Sequence, residues 1–126
     1  MRAVDTNVLV RLITRDDSGQ TAAAERYVEK GAWVSVLALA EATWVLATVY
    51  ELNPKEIARA IEMLLNHRHL VLQDSETIAQ ALELFRAKPA LGFSDCLMLE
   101  LARRAGHLPL GTFDRSLAKV EGVQKL

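Results

Sequence analysis

Cysteine is almost missing from this sequence. Cys96 is the only one, so no disulfide can form within the chain, and a reducing compartment such as the cytoplasm fits better than a secreted setting. An excess of charge of either sign is missing too. Fifteen Lys plus Arg stand against 16 Asp plus Glu, for a formal net charge of -1, so no global positive field draws the chain to nucleic acid or anionic lipid. A polyanionic partner would need a local device. No apolar run reaches the ~18 residues of a membrane span, and Met1-Arg2-Ala3-Val4-Asp5 lacks the basic stretch, apolar run and cleavage site of a targeting peptide. A soluble, unprocessed chain with no membrane contact is expected. There is also no internal repeat, linker or low-complexity stretch.

What is present is a globular mixture: 126 residues, 51% hydrophobic and 25% charged, the size of one domain with one core. A single domain over residues 1–126 is expected. Arg2 to Val4 reads as a strand, closed by Asp5-Thr6-Asn7, whose side chains suit a helix N-terminus, and an apolar helix follows. Turn chemistry at Asp16-Asp17-Ser18-Gly19 precedes a second helix that stops at Lys30-Gly31. A strand is expected from Ala32 to Val36. The stretch from Leu37 to Tyr50 is apolar nearly all round, which predicts a helix buried on several sides or shared with a partner. Asn53-Pro54 starts another helix with one apolar face, and Leu70 to Leu72 reads as a short strand. Asp74 or Ser75 opens a helix that Pro89 ends, and Ser94-Asp95 opens one that Gly106 stops. His107 to Phe113 then reads as a strand, Asp114 caps a short last helix, and Val123-Gln124 suits an edge strand. Strands and helices alternate, which predicts an α/β sandwich around a mostly parallel sheet.

Four acids are not explained by this patterning. Asp5 follows the first strand, Asp114 follows a later one, Asp95 opens a helix, and Glu41 lies in the helix after the Ala32 strand. In open parallel sheets, sites form at the carboxyl ends of strands, which predicts that these side chains share a pocket. Gathered carboxylates repel one another, and a divalent cation removes that cost. Oxygen ligands that leave water on the ion suit Mg2+ or Mn2+, and such ions activate water and neutralise charge on a phosphodiester. Asp5, Asp95 and Asp114 also have the chemistry of helix caps, and spacing alone leaves both roles open. Glu41 is the harder one to explain structurally. It sits between Ala40 and Ala42 in the most apolar helix, where a buried carboxylate survives only if paired or metal-bound.

The stretch Val4-Asp5-Thr6-Asn7-Val8-Leu9, Glu41 after a strand, Ser94-Asp95 opening a helix and Thr112-Phe113-Asp114 near the end carry a resemblance. The sequence resembles the PIN-domain nucleases, specifically the VapC-type toxins of toxin-antitoxin pairs, over essentially its whole length. The resemblance implies a three-layer sandwich with a mostly parallel five-stranded sheet. It implies Mg2+- or Mn2+-dependent endonucleolytic cleavage of RNA, with Asp5, Glu41, Asp95 and Asp114 as the catalytic and metal-binding acids. Asn7, Thr112 and Ser94 are implied as supporting polar groups that orient carboxylates or water; Ser94 also has the chemistry of an N-cap. The implied partner is a small VapB-type antitoxin that blocks the site.

Two other readings compete. A response-receiver domain is also a small α/β unit with an acidic Mg2+ pocket, but it needs paired acids after its first strand, where Asp5 stands alone. A PIN-like module without catalysis, acting only in protein interaction, is the second. Among weaker signals, His67-Arg68-His69 and Arg103-Arg104 lie at helix ends, where cations complement the dipole. Arg11 and Arg15 read as solvated surface groups, although a role in guiding phosphate is open to them. Trp33 and Trp44 read as core or interface residues. The apolar Leu37 to Tyr50 helix predicts a homodimer interface or an antitoxin groove.

Overall fold

The computed structural model describes all residues, 1–126, and its contacts form two compact units, Met1–Ser75 and Glu76–Leu126. The first runs β1 (Arg2–Ala3), α1 (Thr6–Thr14), α2 (Ser18–Val28), β2 (Ala32–Val34), α3 (Val36–Thr48), α4 (Pro54–Leu65) and β3 (Leu70–Leu72). The second begins within the first turn of α5 (Ser75–Ala87) and continues through a 3-10 turn (Pro89–Leu91), α6 (Phe93–Ala105), β4 (Leu110–Thr112), a second 3-10 turn (Leu117–Lys119) and β5 (Val123–Lys125). The mixed α/β class follows the alternation in the sequence.

Every strand pairing is parallel, but the five strands do not make one ladder. They form a three-stranded sheet in the order β1-β2-β3 and a two-stranded sheet, β4-β5. Local alternation says where a strand exists, whereas strand pairing is a long-range choice that a single-sequence pattern does not carry. Arg2 pairs with Ala32, Trp33 with Val71 and Val34 with Leu72 in the first sheet; Leu110 pairs with Val123 and Thr112 with Lys125 in the second. With β1 and β2 adjacent and parallel, their carboxyl ends lie side by side. Asp5 leaves one end, and Ser35, the cap of α3, leaves the other.

Side-chain caps start the helices where the sequence offers them. The carboxylate of Asp17 accepts from the Gln20 N–H at 2.9 Å, so α2 begins at Ser18, inside the expected turn. Ser35 Oγ accepts from the Ala38 N–H at 3.0 Å, which shortens the expected strand to Val34. Asn53 and Glu56 exchange side-chain to backbone bonds as a capping box, with Pro54 in the first turn. Helix α6 differs from expectation. It begins at Phe93 with Gly92 as its N-cap at φ 80° and no side-chain cap, so Ser94 is not the capping residue. Gly106 closes that helix in the left-handed conformation, φ 81°.

In the first unit α1 packs on α2 and α3, α3 on α4, and α4 on β3. Leu9, Val10, Val34, Leu39, Leu46, Ile61 and Leu64 are fully buried there. In the second, Phe85 and Phe93 meet edge-on with centroids 6.0 Å apart, near the geometry that aromatic pairs prefer. Burial pushes the Cys96 thiol up to about 11, with Asp95 and Glu100 adding to the shift, so this cysteine stays protonated and unreactive at neutral pH. No helix is long and apolar enough to cross a membrane.

Helix α3 corrects one expectation. Its buried face is Ala38, Leu39, Ala42, Thr43 and Leu46, while Leu37 and Trp44 are 66% and 63% exposed and Glu41 is exposed between them. Positions 37, 41 and 44 share a face at helical spacing. The apolar sequence concealed a normal in-and-out division, because half of its outward face is apolar as well. Trp33 is likewise partly exposed on β2, so neither tryptophan belongs to the core.

Arg11, expected to be a solvated cation, is a structural one. Its guanidinium donates to the Tyr50 hydroxyl at 3.0 Å and to Asp16 at 3.2 Å. The Thr14 and Tyr50 hydroxyls donate to Asp16 at 2.8 and 2.9 Å and hold its carboxyl below the usual range. This network joins α1 to the end of α3.

Candidate functional site

In the first unit, β1 delivers the chain to Asp5, whose extended backbone (φ -97°, ψ -178°) makes it the N-cap of α1. Its Oδ1 accepts from the Val8 N–H at 3.2 Å, which leaves Oδ2 without a bond to the helix. The capping role and a ligand role are therefore compatible, since a carboxylate has more acceptor sites than one N–H uses. The next residue, Thr6, donates from its hydroxyl to Glu41 Oε2 at 2.8 Å. That bond spans 35 residues of sequence and brings α3 to the turn after β1. Glu41 is held there by a hydroxyl and not by burial, so the desolvation argument for it fails and a positional one replaces it.

The sequence pattern marks Thr6 only as part of a helix N-terminus and not as a partner of Glu41. Nothing in its spacing shows a partner on α3, the helix that follows the next strand. Asn7 is exposed in the first turn of α1.

In the second unit, Asp95 lies in the first turn of α6, half-buried. Burial raises its carboxyl above the usual range, and the charge of Asp114 raises it further. These two acids are thus near enough to repel each other. Asp114 follows β4, and its Oδ1 accepts from the Leu117 N–H at 2.9 Å, the turn-capping role open to it from the sequence. Thr112 Oγ1 accepts from the Asp114 N–H at 3.0 Å, which pins the backbone that carries the carboxylate. Ser94 stands half-buried beside Asp95.

Each unit therefore presents two of the four acids. Within neither unit do three or more His, Cys, Asp or Glu side chains gather as a metal-binding group. The donors are carboxylate and hydroxyl oxygens throughout, with no thiolate or imidazole among them. Hard ligands of this kind fit Mg2+ or Mn2+ and suit softer metals poorly.

A cleft of about 770 Å³ opens in the first unit between α2, the end of α1 and the turn after α4. Arg15, Arg26, His67, Arg68 and His69 line it, together with Glu25 and Glu29. None of the four acids does. Arg15 is ion-paired with Glu25 at 2.5 Å, and His67 Nδ1 accepts from the His69 N–H at 3.1 Å. Burial lowers the His67 pKa, and His69 adds to the effect, so His67 is a neutral, internally bonded group and not the helix-end cation expected at this position.

The chain belongs to the PIN domain family: a family model described as PIN domain matches residues 2–123. Proteins of this family are typically metal-dependent nucleases. No curated protein matches the chain.

Proposed function

We propose that the chain is a metal-dependent endoribonuclease that hydrolyses RNA phosphodiester bonds. Its acidic residues are Asp5, Glu41, Asp95 and Asp114. Membership of the PIN family supports the nuclease class, and the observation that carries the reading to particular residues is the opposition of Asp95 and Asp114. Two carboxylates held in repulsive range, one of them half-buried and raised in pKa, are a cost to the fold that binding of a cation would relieve. When bound, Mg2+ or Mn2+ supplies positive charge at the scissile phosphate and activates water.

The residues of the chain have separable parts in this reading. Asp5 offers its uncapped oxygen, Thr6 fixes the Glu41 carboxylate, and Thr112 fixes the backbone of Asp114. Asn7 and Ser94 are available as polar supports for a carboxylate or a water. A chain of net charge -1 would then meet its polyanionic substrate through the local charge of the cation.

The test is cleavage of RNA with Mn2+ under single-turnover conditions. The parent should cut, and Asp5→Asn should lose at least ~100-fold in rate, since it removes a negative ligand from the cation. If neither protein cuts over varied RNAs and metals, the chain is instead a PIN-like interaction module.

The same reading makes the chain the toxin of a cytoplasmic toxin-antitoxin pair, neutralised by a VapB-type antitoxin. Expression of the parent alone should then arrest growth of the host, and Asp5→Asn should not. We also propose a homodimer, supported by the exposed Leu37, Trp44 and Val49 of α3 and its C-terminal end, each above 60% accessible. Light scattering should return twice the 14.0 kDa chain mass, and a monomer mass across micromolar concentrations would refute the dimer.

A further inference from the structure

Phe113 is the most exposed large apolar side chain of the molecule, at 79%, whereas the other two phenylalanines, Phe85 and Phe93, are 3% and 4% exposed. Its neighbours pin it in place. The Thr112 carbonyl accepts from the Leu126 N–H at 2.8 Å, the Thr112 hydroxyl accepts from the Asp114 N–H at 3.0 Å, and the Asp114 carbonyl accepts from the Ala118 N–H at 3.0 Å. The ring is thus held out to solvent by a loop bonded on both sides. It stands next to Asp114, the acid that opposes Asp95, and two residues before Arg115, an exposed guanidinium with no ion pair.

An exposed aromatic face beside a cation is the pairing that proteins use to hold single-stranded nucleic acid. The ring stacks on a base, and the cation follows the backbone. We propose that Phe113 is a substrate-positioning residue that stacks on one unpaired base of the RNA next to the bond to be cut. This rests on the nuclease reading and adds a residue to it. The ring supplies no chemistry. Its effect is to fix the nucleotide whose phosphate is presented to the acids, and the loss of such a stack weakens binding more than it slows the chemical step.

The experiment uses the full chain with Phe113→Ala, Phe113→Leu and Phe113→Tyr, and a single-stranded RNA oligonucleotide carrying 2-aminopurine. In Mn2+ the Ala variant should raise KM roughly tenfold with kcat nearly unchanged. Tyr, which keeps the π face, should match the parent, and Leu, which keeps only apolar bulk, should behave as Ala does. Without metal, the parent and the Tyr variant should quench 2-aminopurine fluorescence, and the Ala and Leu variants should not. Unchanged KM and quenching in the Ala variant overturn the proposal, as does full rescue by Leu. A change of oligomeric mass in the Ala variant with quenching intact assigns the ring to a second copy of the chain, and also overturns it. If the parent cuts no RNA, the nuclease reading falls, and the metal-free quenching still decides whether Phe113 stacks on a base.

Discussion

Replacing Asp95 with asparagine should remove RNA cleavage, with a loss of ~100-fold or more, and weaken Mn2+ binding at least ~10-fold, without weakening the fold. The two halves of this expectation come from one observation. Ionised Asp95 is penalised by burial and by the charge of Asp114, so the native state carries a cost that a neutral amide of the same shape does not. The sign can be followed with pH. A carboxyl whose pKa is raised on folding binds its proton more tightly in the folded state than in the unfolded state. The parent therefore loses this share of stability as pH rises from the ordinary carboxylate value through the raised one. Relative to the parent, Asp95→Asn should gain stability as pH rises through that window. Thermal unfolding across pH reads this difference, and calorimetry reads the Mn2+ affinity. Equal affinities in the two proteins would remove Asp95 from the ligand set; a sharply lowered unfolding temperature at neutral pH would make it a structural residue.

Leu39→Ala should destabilise the protein by about 3 kcal/mol, a large share of the 5–15 kcal/mol typical of a domain. Leu39 is fully buried on the face of α3 that it shares with Leu46, and α3 packs on both α1 and α4. Truncation there loses the transfer energy of the removed atoms and leaves a cavity whose walls belong to several elements. Leu37→Ala, two residues away on a face exposed in the single chain, should change stability by less than about 0.5 kcal/mol at concentrations where the protein is monomeric, and by more as concentration rises and the proposed dimer covers that face. Urea unfolding of the two variants compares them directly. Equal losses would mean that the outward face of α3 is covered in solution, as the proposed dimer requires, and the loss in Leu37→Ala would then depend on protein concentration.

How much of this could be read from the sequence depended on whether the determining forces were local. The starts of α1 and α4 at Asp5 and Asn53, the stop of α6 at Gly106 and the strand Leu70–Leu72 follow from capping chemistry, backbone freedom and short apolar runs, whereas α2 starts at Ser18, within the stretch expected as a turn. Each acts within a few residues. The start of α6 was misplaced because Gly92 caps it by conformation alone, a weaker signal than the hydroxyl of Ser94. The candidate acids were visible as residues that hydrophobic patterning did not require. The reason given for Glu41 was not correct. Burial of a side chain in an apolar helix depends on which face meets the core, and an apolar residue such as Leu37 or Trp44 on the outer face makes the two faces look alike in sequence.

By itself, then, the sequence determined the α/β alternation, most helix ends and the candidate acids, because propensity, caps and turn chemistry are local and additive. Only the tertiary structure decided that the strands pair as three and two, that Thr6 holds Glu41 across 35 residues, that Asp114 bears on Asp95, and that Phe113 stands in water. Those are consequences of which surfaces meet. The free energy that selects them is spread over contacts between residues far apart in the chain, and no window of sequence contains both partners.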